Sequence, residues 1–135
     1  MMTPFVLERR VEAVHLDALA HVNNVQYLQW VQEAALKHWE ALTASSGAEY
    51  HLWVVRSHHI EYKLPAQLGD AILLSTYVKN NQGFRSERIV EIYLKQVHKL
   101  LARCSTQWCY INKDSGKLER IPQEVADLLS CNTND

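Results

Sequence analysis

Asp17, His21, Asn23 and Asn24 fall within eight consecutive positions and run directly into a long apolar-striped segment that starts at Val25. A carboxylate, an imidazole and two amides are thereby placed at the mouth of an expected helix. The first turn of a helix presents backbone N–H groups without intrahelical partners and the positive end of the macrodipole, both suited to polarising a carbonyl. A carboxylate beside such a terminus can act as a general base or nucleophile in acyl transfer. The same residue types also serve as helix caps, and Asn23 and Asn24 read as cap positions.

The elements that must hold this stretch follow from periodicity. Phe5 to Ala13 alternates apolar and charged side chains, which predicts a first strand. From Val25 to Leu42 the residues Leu28, Val31, Ala35, Trp39 and Leu42 recur at three- and four-residue spacing, and Tyr27, Trp30, Ala34 and Ala41 widen the stripe. A helix this apolar is expected to be wrapped by the rest of the chain. Ser45-Ser46-Gly47 ends it. Four strands follow, over Leu52–Tyr62, Ala71–Lys79, Phe84–Lys95 and Lys99–Asn112, with Asn80-Asn81-Gln82-Gly83 as the expected hairpin turn. On the last strand Leu100, Ala102, Cys104, Thr106, Trp108 and Tyr110 share one face. Ile89, Tyr93, Leu101 and Ile111 would lie on the sheet's other face and suggest contact with another subunit. Pro122 opens a short amphipathic segment ending near Leu129. One long helix against one antiparallel sheet of about five strands is an α+β architecture, read as one domain over residues 1–135.

Composition narrows the function classes. With 14 basic and 15 acidic residues spread along 135 positions, the net charge is −1. No basic block interleaves with aromatics, which argues against a nucleic-acid binder. Apolar runs such as Ala71-Ile72-Leu73-Leu74 are far too short to span a membrane, no basic-then-apolar leader precedes them, and a cytoplasmic location is expected. The three cysteines, Cys104, Cys109 and Cys131, lack zinc spacing, and the parity of the first two predicts free thiols. His58 and His59 are expected on opposite faces of a strand, against a joint metal site. No resident metal or cofactor is expected.

Three motifs in register carry a resemblance to the hotdog-fold thioesterases, most of all to the 4-hydroxybenzoyl-CoA thioesterase-like and acyl-ACP thioesterase-like branch. They are Asp17-x-x-x-His21-Val22-Asn23-Asn24-x-x-Tyr27; Ile60-Glu61-Tyr62-Lys63-Leu64-Pro65-Ala66-x-x-Gly69-Asp70; and Trp108 with Asp114-Ser115-Gly116-Lys117 and Ile121-Pro122. The resemblance implies a central helix wrapped by a curved antiparallel sheet, and a homodimer or homotetramer with active sites at subunit interfaces. It implies hydrolysis of an acyl thioester of CoA, or of acyl carrier protein, with Asp17 as nucleophile or base. Amides around Asn24 and Val25 would polarise the carbonyl, with His21 and Asn24 supporting catalysis and Asn23, Val25 and Tyr27 contacting substrate.

Two positions depart from the pattern. Leu19 replaces an Asn of the plant acyl-ACP enzymes that share the His-Val-Asn-Asn run, which favours a route led by Asp17. Ala20 stands where relatives commonly carry Gly, so a change in loop conformation is expected. Glu33 is a second acid/base candidate, more in keeping with a solvated or interface-bonded helix residue. Tyr27, Trp30, Trp53 and Phe84 are candidates for an acyl pocket or for plain core, and Lys63, Arg85 and Arg88 for CoA phosphates or ordinary surface charge. The rival readings are a non-catalytic acyl-thioester-binding module and a hydratase or dehydratase, the latter disfavoured because Asp17 and His21 are four apart and no Asn-Pro lies between them.

Overall fold

In a computed structural model describing residues 3–130, five strands form one antiparallel sheet in the order β1-β3-β4-β5-β2. They are β1 (Phe5–Arg10), β2 (Leu52–Tyr62), β3 (Ala71–Gln82), β4 (Arg85–Leu94) and β5 (Lys99–Ile111); the helices are α1 (Asn24–Thr43) and α2 (Gln123–Leu129). The strands on either side of α1 in the chain, β1 and β2, lie at opposite edges of the sheet. A helix of 20 residues covers about 30 Å, enough to carry the chain across the sheet while its apolar stripe packs down on it. Tyr27, Trp30, Val31, Ala34, Ala35, His38 and Leu42 form the buried stripe.

Three irregularities bend long strands around the helix, as bulges do. They leave Arg56, Lys79 and Leu101 as extra residues opposite Val55/Ser57, Val78/Asn80 and Ile92/Tyr93 registers respectively. The bulge at Leu101 changes an expectation: its side chain joins the core cluster with Val11 and Ile92 instead of facing out. Ile89 is also buried, and Tyr93 and Ile111 are half-buried, so this face is not the open apolar surface expected from parity. The hairpin differs too. β3 runs through Gln82, and Gly83-Phe84 forms the two-residue turn, with Gly83 at φ 63° as the first position of a type II′ turn requires. Asn80 and Asn81 are strand residues beside the bulge at Lys79, which absorbs the extra length.

The core is divided into two apolar clusters. One lies under the N-terminal half of α1 (Tyr27, Trp30, Val31 and Ala34 against Ile72, Leu74, Val90 and Ile92), the other under its C-terminal half (Leu42 with Val78, Tyr110, Val125 and Leu129). Between them lies a polar layer. His38, on the buried stripe of α1, meets Arg88 of β4, whose Nη1 donates to His38 Nδ1 at 2.8 Å and to Thr76 Oγ1 at 3.0 Å. The Thr76 hydroxyl passes the chain on to the Ile89 carbonyl at 2.8 Å. Arg88 is therefore not the surface charge considered from sequence; it is 5 % exposed. Burial lowers its pKa to about 10, which leaves it protonated at neutral pH. Because a guanidinium only donates, Nδ1 of His38 must carry the lone pair and the ring proton sits on Nε2. Phe5 stacks on the ring at 5.1 Å. Burial, and then the Arg88 charge, hold His38 at about 4 against an ordinary 6.5.

A depressed histidine pKa means that the unfolded chain binds the extra proton first. The contribution is complete above pH 6.5 and is lost as pH falls through 4, about 3 kcal/mol in all. Urea unfolding from pH 7 to 4 should therefore show a steep loss of stability. His38→Gln, which retains an acceptor for Arg88 but does not titrate, should flatten that slope by a comparable amount.

Candidate active site

The segment Leu16–Asn23 is a closed loop built on its own backbone. Leu16 and Val22 pair as an isolated bridge, the Asp17 N–H donates to the His21 carbonyl at 2.8 Å, and the Ala20 N–H donates to the Asp17 carbonyl at 3.1 Å. The Asp17 carboxylate completes the loop. Its Oδ1 accepts from the Leu19 amide at 2.9 Å and from the His21 amide at 3.2 Å. Oδ2 has no hydrogen-bond partner among the described residues, so one oxygen is anchored and the other is available. His21 is tied through its backbone alone, and its exposed ring has no hydrogen-bond partner among the described residues.

Ala20 sits at φ 62°, a left-handed conformation that glycine adopts readily and alanine adopts at a cost of roughly 1–2 kcal/mol. Instead of the changed conformation expected at this position, Ala20 takes up the left-handed backbone that suits glycine, with strain.

The helix start is capped by Asn23, whose Oδ1 accepts from the Val25 amide at 2.9 Å, while the Asn23 carbonyl takes the Gln26 amide at 2.9 Å. The cap thereby commits the Val25 N–H that sequence reasoning assigned to the substrate carbonyl. Asn24 N–H is left as the first-turn amide with no acceptor among the described residues. Tyr27, expected to touch substrate, is instead buried; its hydroxyl accepts from the Ala66 amide at 3.1 Å. Val22 N–H donates to the Ala66 carbonyl at 3.2 Å. Two motifs some forty residues apart in sequence are thus joined at Ala66, which locks the Asp17 loop to the β2–β3 connector. Tyr62 at the end of β2 reaches the Asn24 carbonyl at 3.3 Å.

The other candidates separate. Glu33 forms an ion pair with Arg9 of β1, its Oε1 accepting from Nε at 2.7 Å and also from Nη2. His58 turns inward to Thr106 Oγ1 at 2.8 Å, whereas exposed His59 lies toward Glu61. Lys63 pairs with Glu61 at 2.8 Å, and the Arg85 guanidinium lies over the Phe84 ring. Cys104 and Cys109 are buried free thiols; Cys131 lies outside the described residues.

A cavity of about 390 Å³ opens between α1 and the β2–β5 side of the sheet, walled by Leu36, Trp39, Trp53 and Trp108, with Gln32, His51, Ser86 and Arg88 as its polar groups. It does not include Asp17. Gln32 to Trp39 are 8 to 15 residues beyond Asn24, or roughly 12–22 Å along the helix. Sequence reasoning missed Arg88 and His38 as interior groups. The signals were there: Arg88 shares strand parity with Val90 and Ile92, and His38 continues the Val31/Ala34/Leu42 stripe.

A helix crossing a curved five-stranded antiparallel sheet, with an acid-bearing loop at the helix mouth, is the hotdog architecture, and over residues 11–129 the sequence matches the model of the thioesterase-like superfamily. The chain belongs to that superfamily. Among curated proteins it is similar to the long-chain acyl-CoA thioesterase FadM of Escherichia coli (strain K12), at 30% identity over 79 residues. That match covers 55% of this chain and spans 58% of the length of FadM. Among solved structures, the 1,4-dihydroxy-2-naphthoyl-CoA thioesterase from Synechocystis superposes with a TM-score of 0.80 at 23% identity, covering 93% of this chain and 95% of that one. The 12:0-ACP thioesterase from Umbellularia californica superposes with a TM-score of 0.76 at 18% identity, covering 90% of this chain and 48% of that one.

The strain at Ala20 gives a direct test of the loop. Ala20→Gly relieves it while adding about 0.4–1 kcal/mol of unfolded-state entropy, for a net gain of about 0.5 kcal/mol and a higher urea midpoint. Ala20→Val should lower the midpoint clearly.

Proposed function

We propose that this chain hydrolyses acyl-CoA thioesters, with Asp17 as the reacting carboxylate. The observation that carries the reading is the pairing of a carboxylate fixed through Oδ1, with Oδ2 free, and an unclaimed amide at Asn24 on the first turn of a 20-residue helix. In this reading the thioester carbonyl oxygen accepts from the Asn24 N–H, so charge developing on that oxygen meets a fixed donor at the positive end of the helix dipole. Oδ2 then attacks the carbonyl carbon to give a mixed anhydride that water cleaves, or it takes a proton from an attacking water. In either route the C–S bond breaks and the thiolate leaves without needing a strong acid. In the same reading His21, exposed at this loop, orients water, and Asn23 serves as the cap that positions the first turn. The likeness to FadM favours CoA over acyl carrier protein as the thiol carrier, and a cytoplasmic setting belongs to the same reading.

The reading includes a second copy of the chain. β2 is an eleven-residue edge strand with one side unpaired, and Leu52, Val54 and Tyr62 on it are exposed. Long apolar edges of this kind invite pairing. On α1, Val25 and Leu36 are also exposed, which leaves a seam of the helix uncovered beside that edge. A homodimer formed through β2 would cover both, and a homotetramer would pair two such dimers.

Asp17→Asn keeps an oxygen for the Leu19 and His21 amides, so folding should be retained. Thiol release from acyl-CoA, followed with a thiol reagent, should fall by about 10²–10⁴-fold; an unchanged rate would overturn the assignment. Sedimentation should show the wild-type chain as a dimer or larger, and Val54→Lys should shift it to the monomer.

A further inference from the structure

We infer that the cavity between α1 and β2–β5 is an acyl pocket for groups that end in a carboxylate, and that Arg88 binds that carboxylate. This rests on the thioesterase reading for the nature of the substrate, but its evidence is separate. Arg88 is a buried cation faced by neutral groups: His38 from α1, Thr76 from β3 and its register partner Thr106 from β5. No carboxylate pairs with it among the described residues. The nearby acids of β4 are engaged elsewhere, Glu91 with Arg103 and Glu87 with Ser105. Leaving a charge buried without a counter-ion is among the costlier arrangements in a protein interior, and a bound anion offsets it.

The geometry says which edge of the guanidinium is available. Nη1 makes both bonds, to His38 and Thr76. Nε and Nη2 remain without partners among the described residues, and these two nitrogens form the side-on edge whose parallel N–H bonds match the two oxygens of a carboxylate. Apart from Gln32, His51 and Ser86, the rest of the lining is apolar and aromatic, through Leu36, Trp39 and Leu129, and Arg88 is its one cation fixed by burial. The volume of about 390 Å³ lies within the ~300–1,000 Å³ range of small-molecule sites. An apolar body with one anionic end fits this lining; a plain hydrocarbon chain leaves Arg88 unanswered. The other end of the cavity reaches Gln32 and Leu36 on the exposed seam of α1, where a thioester could emerge toward a catalytic loop.

The test compares octanedioyl-CoA with octanoyl-CoA, which have equal carbon number and differ in the terminal carboxylate. Wild-type kcat/KM should favour octanedioyl-CoA by at least about tenfold. Arg88→Met should abolish that preference, chiefly through KM, while octanoyl-CoA hydrolysis is retained, and Arg88→Lys should restore part of it by returning the charge without the fork. Equal rates for the two substrates in the wild type, or a preference that survives in Arg88→Met, would overturn the inference while leaving thioester hydrolysis intact. If neither thioester is hydrolysed, the thioesterase reading fails, and binding of free octanedioate against octanoate decides this one. Tryptophan fluorescence should then show saturable binding of octanedioate alone, and equal binding of both acids sinks the pocket. Should Arg88→Met fail to fold by circular dichroism, the wild-type ratio and Arg88→Lys carry the same decision.

Discussion

The burial of α1 is the constraint on which the rest of this structure depends. Twenty residues of helix carry apolar side chains over most of their circumference, and water on that surface is more costly than bending a sheet around it. The sheet meets the demand with long strands bent at Arg56, Lys79 and Leu101. It also sends β1 and β2 to opposite edges, so that the helix must cross the full width between them. The mouth of α1 is consequently delivered to one fixed place, beside the β2–β3 connector, where Val22 and Tyr27 are both bonded to Ala66. The loop bearing Asp17 is held there by backbone bonds, completed by the Asp17 carboxylate on the Leu19 and His21 amides.

Burial is incomplete in two instructive places. Along one seam, Val25, Gln29, Gln32 and Leu36 remain exposed, next to an unpaired eleven-residue edge. In the interior, the two apolar clusters do not merge, because His38, Thr76 and Arg88 lie between them. A layer of this kind lowers stability relative to a continuous apolar core. Through Arg88 that layer borders the cavity. The Asp17 loop and the cavity are therefore separate devices, mounted at different levels of the same helix and connected by its rigidity.

How far the sequence carried the reading can be seen element by element. Helix α1, the strands β2 and β5 and the segment after Pro122 were legible to within a residue or two, because periodicity and turn chemistry are local. Parity correctly placed His58 and His59 on opposite faces and kept Cys104 from Cys109. It failed where a bulge intervened: Leu101 turned inward, and the hairpin moved from Asn80–Gly83 to Gly83-Phe84. A bulge shifts the two-residue repeat by one, and which strand accepts it depends on curvature that only the packed sheet defines.

The candidate site divides along the same line. The sequence by itself determined the chemistry available at the helix mouth, a carboxylate, an imidazole and a capping amide, because residue type and spacing suffice to put them in one loop. Only the tertiary structure decided which groups are free. Asn23 consumes the Val25 amide and leaves that of Asn24, Tyr27 is spent on Ala66, and Glu33 on Arg9. It alone showed that Arg88 is an interior cation held by His38 and Thr76, since parity with Val90 and Ile92 marks a shared face but not whether a charge stays buried on it. Hydrogen-bond partners and burial are properties of pairs distant in sequence, and no local pattern contains them.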